Sequence, residues 1–176
     1  MVWSMEILTK NAQGTQEFGK KFANRLIGGE IIALSGDLGS GKTTFVQGLA
    51  EGLGVRGRIL SPTFVLMREH WVKIRSARKA RFLRNPKHEM LASRDFCEIR
   101  NFYHVDLYRL EGNVERELKS LGIEEIWGKR ENVLAIEWAE KAKGIIPAGA
   151  IWVKFEHMEG DGRKIKVSQR IRELAD

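Results

Sequence analysis

The chain alternates between short apolar runs and stretches whose apolar residues recur at helical spacing. The runs "MEILTK", "EIIALSG", "NFYHVDLY" and "ENVLAIEW" predict strands, because their apolar, aromatic and β-branched residues are continuous or alternate over a strand's length. "RILSPTFVLMREH" is also strand-like, with Pro62 marking a bend near its start. "AIWVKFEHM" and "RKIKVSQ" predict a C-terminal hairpin around "EGDG".

Three stretches predict helices. "TQEFGKKFANRLI" places Phe18, Phe22 and Leu26 at helical spacing, and the two glycines after it end the pattern. "KTTFVQGLAEGLG" predicts a helix that Gly54 ends, and "NVERELKSLG" predicts one that Gly122 caps. Because strands and helices alternate without repeats or linkers, the chain is expected to form one α/β domain over residues 1–176, a sandwich around a mostly parallel central sheet.

Charge changes this picture in one segment. The chain carries a formal net charge of +7. Residues 72–100 hold nine basic and three acidic side chains, so this segment alone accounts for +6 and the rest of the chain is nearly neutral. Within it, "IRSARKARFL" has a spacing that supports a helix, broken at "NPK". Attraction toward nucleic acid or another anionic partner is therefore concentrated in this basic segment.

The remaining composition points to a protein of a reducing compartment. Hydrophobic residues make up 43% of the chain and charged residues 30%, which is typical of a globular protein. Cys97 is the only cysteine, so an internal disulfide is impossible. The first residues show no basic region followed by an apolar core, and no apolar run approaches the length of a membrane span. We therefore expect a cytoplasmic protein without a membrane partner.

One motif carries clear chemistry. Residues 36–43, "GDLGSGKT", match G-x-x-x-x-G-K-[ST] between a predicted strand and a predicted helix. The glycines allow backbone N–H groups to turn toward phosphate oxygens, and the positive end of the helix dipole favours an anion there. Lys42 is expected to reach the β- and γ-phosphates, and the Thr43 hydroxyl to hold Mg²⁺. This motif predicts a P-loop NTPase-like fold and a phosphate site; a glycine-rich turn that matches by chance is the alternative.

Such a site needs an acid that positions Mg²⁺ or water. Asp106 and Glu137 stand at the ends of two predicted strands, where ligands of open α/β sheets lie. Both would point at the phosphates if their strands run parallel to the strand before the P-loop. Each could also be an ordinary strand-end charge. Glu137 is the sharper candidate, because four apolar residues precede it directly.

Four further residues near these motifs have two readings each. Ser61 and Thr63 in "SPTF" could sense a γ-phosphate or could form a strand-entry turn, which the sequence favours slightly. His104 is interpreted as a strand side chain rather than as a catalytic base. Trp138 is interpreted as a packing aromatic, although it adjoins Glu137. The guanine-reading string N-K-x-D is absent from the sequence, which favours ATP over GTP.

Taken together, "GDLGSGKTTF", "SPTF", "YHVDLYRL", "LGIEE" and "VLAIEW", in this order, resemble the TsaE (YjeE) family. Its members are P-loop ATPases of bacterial tRNA threonylcarbamoyladenosine biosynthesis. The resemblance extends from the first helix to about residue 147, apart from the basic segment. It implies a compact fold with ATP and Mg²⁺ at the carboxyl edge of the sheet, a weak intrinsic ATPase, and two partners, TsaB and TsaD, of which TsaD carries the transferase site.

The resemblance also implies roles for single residues. Thr43 and Glu137 would bind the metal, and Lys42, Glu137, Asp106 and Thr63 would serve catalysis; whether Asp106 or Glu137 positions the attacking water stays open. The residues expected to bind the nucleotide are Gly36, Gly39, Ser40, Gly41, Lys42, Thr43, Thr44 and Trp138.

Two departures from the family pattern leave alternatives open. The stretch between "SPTF" and "YHVDLYRL" is longer than expected by roughly twenty residues, with the excess in the basic segment, and the match after residue 147 is loose. This insertion, at about residues 72–100, would be a solvated helix, a tRNA contact or a protein contact. The main functional hypothesis is an accessory ATPase. The alternatives are a small-molecule kinase that uses the insertion as a lid, and a nucleotide-gated binding module without a catalytic purpose.

Overall fold

A computed structural model of the chain describes residues 2–57, 59–62, 66–72 and 99–170. Seven strands, four α-helices and one 3₁₀ helix lie within these residues. The strands are β1 (Val2–Thr9), β2 (Ile31–Ser35), β3 (Met67–Trp71), β4 (Asn101–Asp106), β5 (Asn132–Glu137), β6 (Ile151–His157) and β7 (Arg163–Arg170). The helices are α1 (Ala12–Ala23), α2 (Lys42–Leu53), α3 (Val114–Ser120), α4 (Ile123–Ile126) and the 3₁₀ helix (Ala139–Ala142).

All seven strands form one sheet in the order β1-β7-β6-β2-β5-β4-β3. The four central strands, β6, β2, β5 and β4, are parallel to one another. The outer strands β1, β7 and β3 pair antiparallel. The expected α/β fold, with a parallel centre and a β6–β7 hairpin at the C-terminal end, is therefore confirmed.

The sheet is covered on both faces. One face of β2, β4, β5, β6 and β7 packs against α1 and α2, around the fully buried Phe45 and Phe102. The opposite face of the central strands packs against α3, α4 and the 3₁₀ helix, around Leu118 and Ile123. Along β4 and β5 the two cores alternate residue by residue, because successive side chains of a strand point to opposite faces.

Helices α1 and α2 approach each other through glycines. A Cβ atom on Gly48 would lie 1.9 Å from the carbonyl oxygen of Gln16, and one on Gly19 would lie 2.3 Å from that of Phe45. Only a residue without a side chain permits this backbone contact. It fixes the position of α2, whose first residue is Lys42, against the helix behind it.

The helix predictions that fall on described residues hold with shifted boundaries. The first helix begins earlier than expected, because the Asn11 side chain accepts a hydrogen bond from Gly14 N and caps the first turn. It ends at Ala23, before the two glycines. The second helix ends at Gly54 as predicted, in the left-handed conformation. The short helix α4 and the 3₁₀ helix were not predicted, since each spans a single turn.

The basic segment lies mostly outside the described residues, as does the helix predicted within it. Its two ends are described. Val72 N donates to the carbonyl oxygen of Arg100 at 2.8 Å, and β3 pairs antiparallel with β4 just beyond. The segment therefore connects two neighbouring strands at a single place on the sheet edge. Within the described part of the chain, no helix combines the length and apolar character that a membrane crossing requires.

Candidate nucleotide site

The loop between β2 and α2 depends on glycine conformations. Gly36 has a φ of 134° and Gly41, at the N-cap of α2, has a φ of 103°. A Cβ atom on Gly36 would also lie 2.4 Å from the carbonyl oxygen of Phe155 on β6. This close approach holds the loop at the carboxyl ends of the central strands. The loop leads into the N-terminal, positive end of a 12-residue helix.

Lys42 is held tightly at the start of α2. Its side chain is buried, and Nζ donates to the carbonyl oxygens of Gly36 at 2.7 Å and Asp37 at 2.8 Å. The same ammonium group lies 3.9 Å from the centroid of a ring of Trp138. Burial lowers the pKa of Lys42, while Glu137, Glu140, Asp106 and Asp37 act to raise it. The loop thus keeps this cation desolvated and close to acids.

Thr43 and Glu137 meet at the end of the sheet. The Thr43 hydroxyl donates to Oε2 of Glu137 at 2.8 Å, across 94 positions of sequence. Glu137 is the last residue of β5 and is 2% exposed. A hydroxyl and a carboxylate are hard oxygen ligands of the kind that Mg²⁺ takes from P-loop proteins. The donor chemistry at this point therefore fits the magnesium ion that the motif implies.

Asp106 lies beside Glu137 on the neighbouring parallel strand. The two residues are register partners of β4 and β5, both of which run parallel to β2. Oδ1 of Asp106 accepts from Tyr108 N at 3.0 Å, and Oδ2 accepts from the Ser61 hydroxyl. Asp106 therefore links the turn after β4 to the "SPTF" stretch, while its neighbour faces the P-loop.

The Trp138 backbone makes an unusual turn directly after Glu137. Its φ of 58° and ψ of 36° are left-handed, a conformation that costs a non-glycine residue free energy and that concentrates at functional sites. The indole packs on the Tyr108 ring, with 5.1 Å between centroids, and lies over the Lys42 ammonium. Lys141 Nζ donates to the carbonyl oxygens of Tyr108 and Leu110. The loops after β4 and β5 are thereby joined.

These groups enclose a cleft of about 330 Å³ at the carboxyl ends of β2, β4 and β5. Two features of the loop suit a polar ligand. Among the described residues, the buried Ser40 hydroxyl has no hydrogen-bond partner, and a Cβ atom on Gly39 would meet no atom within 4 Å. The lining consists of Leu38, Gly39, Ser40, Gly41, Lys42, Thr43, Thr44, Ser61, Asp106, Tyr108, Glu137 and Trp138.

The family to which the chain belongs follows from a sequence comparison. The family model described as "Threonylcarbamoyl adenosine biosynthesis protein TsaE" matches residues 9–165. The chain belongs to the TsaE family. The match spans the cleft and every strand that lines it, as the motifs had indicated.

Curated relatives agree with the TsaE model. The tRNA threonylcarbamoyladenosine biosynthesis protein TsaE of Haemophilus influenzae is 33% identical over 85% of this chain and 80% of its own length. The TsaE protein of Synechocystis is 35% identical over 78% of this chain and 72% of its own length. Identity at this level over most of both chains makes a shared fold secure.

A solved structure extends the TsaE comparison to three dimensions. The crystal structure of YdiB from Bacillus subtilis superimposes with a TM-score of 0.66 at 25% sequence identity. The superposition covers 96% of this chain and 87% of YdiB. The fold described above is therefore shared across nearly the whole chain.

The structure brings most of the predicted TsaE site residues together. Gly36 lies against Phe155 of β6 at the start of the loop. The predicted residues that line the cleft are Gly39, Ser40, Gly41, Lys42, Thr43, Thr44, Asp106, Glu137 and Trp138. Thr63 lies outside the described residues, so its role stays a prediction. The roles of the others in binding and catalysis also stay predictions.

The sequence-based interpretation made His104 a strand side chain, did not single out Tyr108 and left Ser61 open. His104 is fully buried and its Nε2 lies 2.8 Å from Oε1 of Glu137. The alternation of β4 places His104 on the same face as Asp106, and this signal was available. Tyr108 lines the cleft and packs on Trp138, although only its place in "HVDLYRL" marked it. Ser61, the other hydroxyl of the "SPTF" stretch, contacts Asp106.

Proposed function

We propose that this TsaE-family protein is an accessory ATPase of tRNA threonylcarbamoyladenosine formation. It would bind and hydrolyse ATP with Mg²⁺ and thereby drive the turnover of a complex of TsaB and TsaD. The observation that carries the proposal is the contact between Thr43 and Glu137 at 2.8 Å, beside Lys42 and at the mouth of the P-loop. The family match supplies the pathway.

Phosphate binding follows from the loop and from Lys42. Backbone N–H groups of a P-loop and the start of α2 attract an anion, and Lys42 adds a full positive charge. Because Lys42 is already desolvated, its attraction for a phosphate oxygen is stronger than it would be in water. Two carbonyl oxygens and an indole ring fix its direction, so little further ordering of this side chain is required.

Thr43 and Glu137 would hold the magnesium ion. Mg²⁺ commonly takes one or two protein oxygens and completes its octahedron with water and substrate phosphates. A magnesium ion held there would offset negative charge on the phosphates and so ease transfer of the terminal phosphoryl group to water, with ADP as the leaving group.

Hydrolysis would then depend on position and charge rather than on a covalent intermediate with the protein. Glu137 and Asp106 end adjacent strands at the cleft, so either carboxylate can orient an attacking water. Glu137 contacts the P-loop directly, whereas Asp106 is engaged with Ser61 and Tyr108. We therefore assign Glu137 the central role and Asp106 the role of holding the adjacent loops.

The experiment measures ATP consumption by the purified protein alone, with TsaB and TsaD, and with small-molecule acceptors. Stimulation of Mg²⁺-dependent phosphate release by the two proteins is the expected result. Phosphorylation of a small acceptor without TsaB and TsaD would contradict the proposal and indicate a small-molecule kinase instead. If modification of tRNA in a reconstituted system proceeds at full rate with Glu137→Gln, hydrolysis is not the function of the site.

A further inference from the structure

The unexplained group beside the site is the imidazole of His104. It is 0% exposed, lies on the face of β4 that carries Phe102 and Asp106, and places Nε2 2.8 Å from Oε1 of Glu137. Among the described residues, no other hydrogen bond to Oε1 is recorded, while Oε2 accepts from Thr43. The two carboxylate oxygens of Glu137 thus have separate partners on two different elements.

The proton in this contact can be assigned from the partners. A carboxylate that serves a metal ion only accepts hydrogen bonds, so Nε2 of His104 must be the donor. The other ring nitrogen, Nδ1, is buried and has no partner within the described residues. A buried N–H without an acceptor is costly, whereas a bare lone pair costs less. The contacts therefore place a proton on Nε2, where it is donated to Glu137.

The two contacts restrict rotation of the Glu137 carboxylate. A carboxylate held by one hydrogen bond can rotate about its last torsion, and its metal-facing oxygen then changes place. With Oε1 held by β4 and Oε2 held by α2, the carboxylate plane is fixed from both sides. Groups that orient a ligand in this way commonly change metal affinity or activity by about 10- to 100-fold when removed.

We infer that His104 is a positioning residue, whose Nε2–H holds one oxygen of Glu137 so that the other is presented to the magnesium ion and to Thr43. The inference rests on the proposed function of the cleft. An apolar side chain would fill the same buried place without the cost of desolvating an imidazole. The contact of His104 with Glu137, which lines the cleft, accounts for that cost.

The test compares two substitutions of similar size. The amide of His104→Gln keeps an N–H near the position of Nε2, whereas His104→Leu keeps the volume and loses the donor. We expect His104→Leu to lower kcat about 10- to 100-fold and to raise the Mg²⁺ concentration for half-maximal activity, while ATP affinity in EDTA stays within about twofold. His104→Gln is expected to restore most of kcat and of the Mg²⁺ response.

A matched control separates this effect from loss of packing. Phe102→Leu changes a buried side chain on the same face of β4, two residues away, whose ring packs against His70. It is expected to lower the melting temperature without shifting the Mg²⁺ response. Equal Mg²⁺ responses for His104→Leu and the wild type would overturn the inference, as would a shift of the same size in Phe102→Leu.

The position of the proton on the His104 ring can also be measured in the wild-type protein. Nitrogen-15 NMR of labelled histidine distinguishes the Nε2–H from the Nδ1–H tautomer, and the Nε2–H form is expected for His104. The Nδ1–H form would overturn the inference even if the ATPase is confirmed. Absence of Mg²⁺-dependent hydrolysis in the wild type, with TsaB and TsaD present, would instead refute the proposed function. The tautomer would still decide whether Nε2 of His104 donates to Glu137.

Discussion

At the scale of single residues, the site depends on groups whose freedom has been removed. Lys42 is held by two carbonyl oxygens and an indole ring, Glu137 by a hydroxyl and an imidazole, and Asp106 by a hydroxyl and a backbone N–H. Even Trp138 is held in a left-handed conformation that most residues avoid. Groups fixed in advance need not be reorganised when charge develops in a transition state.

Glu137→Gln tests the carboxylate at this scale. The substitution preserves the shape of the side chain but removes its negative charge. The amide keeps one accepting oxygen and its NH₂ group only donates, so Thr43 and His104 no longer have one acceptor each. We expect kcat for ATP hydrolysis to fall about a hundredfold or more, with ATP affinity retained. Phosphate release and equilibrium binding of labelled ATP measure the two quantities.

The control for Glu137→Gln is the nearby exposed acid Glu140. It raises the pKa of Lys42 through its charge, but it is not part of the cleft lining. Glu140→Gln should therefore retain most activity. A comparable loss of kcat in both variants would mean that the general negative potential, and not the carboxylate of Glu137, is what matters.

At the scale of secondary structure, two contacts position the site from outside it. Helix α2 is placed by its backbone contact with α1, and strand β4 is flanked by the outer strand β3. The glycines of the helix contact and the register partners of β3 on β4 do not line the cleft, yet α2 carries Lys42 and Thr43, and β4 carries His104 and Asp106. Substitutions in these contacts are therefore expected to act on stability first.

Gly48→Ala tests the contact between the helices. Alanine normally favours a helix interior over glycine by up to about 1 kcal/mol. Here its Cβ atom would lie 1.9 Å from the carbonyl oxygen of Gln16, so the helices must separate. We expect the free energy of unfolding to fall by about 3 kcal/mol, measured by urea denaturation.

Gly14→Ala is the matched control in α1. Its Cβ atom would make only ordinary contacts, the nearest being 3.5 Å from Cβ of Thr9. This variant should be neutral or slightly stabilising. If Gly48→Ala behaves in the same way, the backbone contact between α1 and α2 is looser than described.

Tyr103→Phe tests the pairing of β3 with β4 through pH. The Tyr103 hydroxyl donates to Oε1 of Glu69 at 2.9 Å. Burial, followed by this hydrogen bond and the charge of Glu69, raises the pKa of Tyr103 from 10.0 to about 12. The folded state thus keeps a proton that the unfolded state loses, so this stabilisation is complete below pH 10 and is lost as the pH rises toward 12.

The measurement is denaturant unfolding of both proteins at several values between pH 9 and pH 12. The wild type should lose stability faster than Tyr103→Phe across the upper part of this window, and the two curves should run parallel below pH 10. Parallel curves throughout would show that the Glu69 contact does not form in solution.

At the scale of the whole molecule, the sheet brings distant parts of the chain together at the carboxyl ends of its central strands. Four parallel strands occupy its centre, so the P-loop and both acids emerge on the same side. The antiparallel strands at both margins widen the sheet without contributing to the cleft lining. Because the site is assembled from three strands and a helix, ligand binding should be coupled to global folding.

Thermal unfolding with Mg-ATP tests this coupling. A ligand that binds only the folded state at 100 times its Kd adds about 2.7 kcal/mol. For a chain of this size, that corresponds to a rise in Tm of about 5–10 °C. Lys42→Ala should abolish most of the rise, whereas Lys119→Ala, which removes an exposed lysine paired with Glu115, should retain it. A full rise in Lys42→Ala would contradict the assignment of the loop.

The sequence carried much of this fold in local patterns. The P-loop, its flanking strand and helix, and the C-terminal hairpin are continuous stretches, so periodicity and glycine placement were enough to predict them. Glu137 and Asp106 could be proposed because each ends an apolar strand. Their adjacency depended on strand order, which no local pattern encodes; it required β4 and β5 to pair in parallel register.

Other features arise only from tertiary contact. His104 looked like a core side chain because its partner is 33 positions away, and Trp138 looked like a packing aromatic because its contact with Lys42 requires a left-handed turn. Helix α1 was placed too late along the chain, since the cap at Asn11 was overlooked. The partners of His104 and Trp138 were fixed by strand pairing and by a turn, whereas the Asn11 cap is local and its signal lies in the sequence itself.

The stacking of Lys42 beneath Trp138 also gives the molecule an optical property. The chain contains five tryptophans, and within the described residues only Trp138 has a cation over its ring. Indole emission responds to a nearby charge, so a displacement of the lysine changes the light that this one chromophore emits. Events at the P-loop can therefore be followed in the unlabelled protein through its own fluorescence.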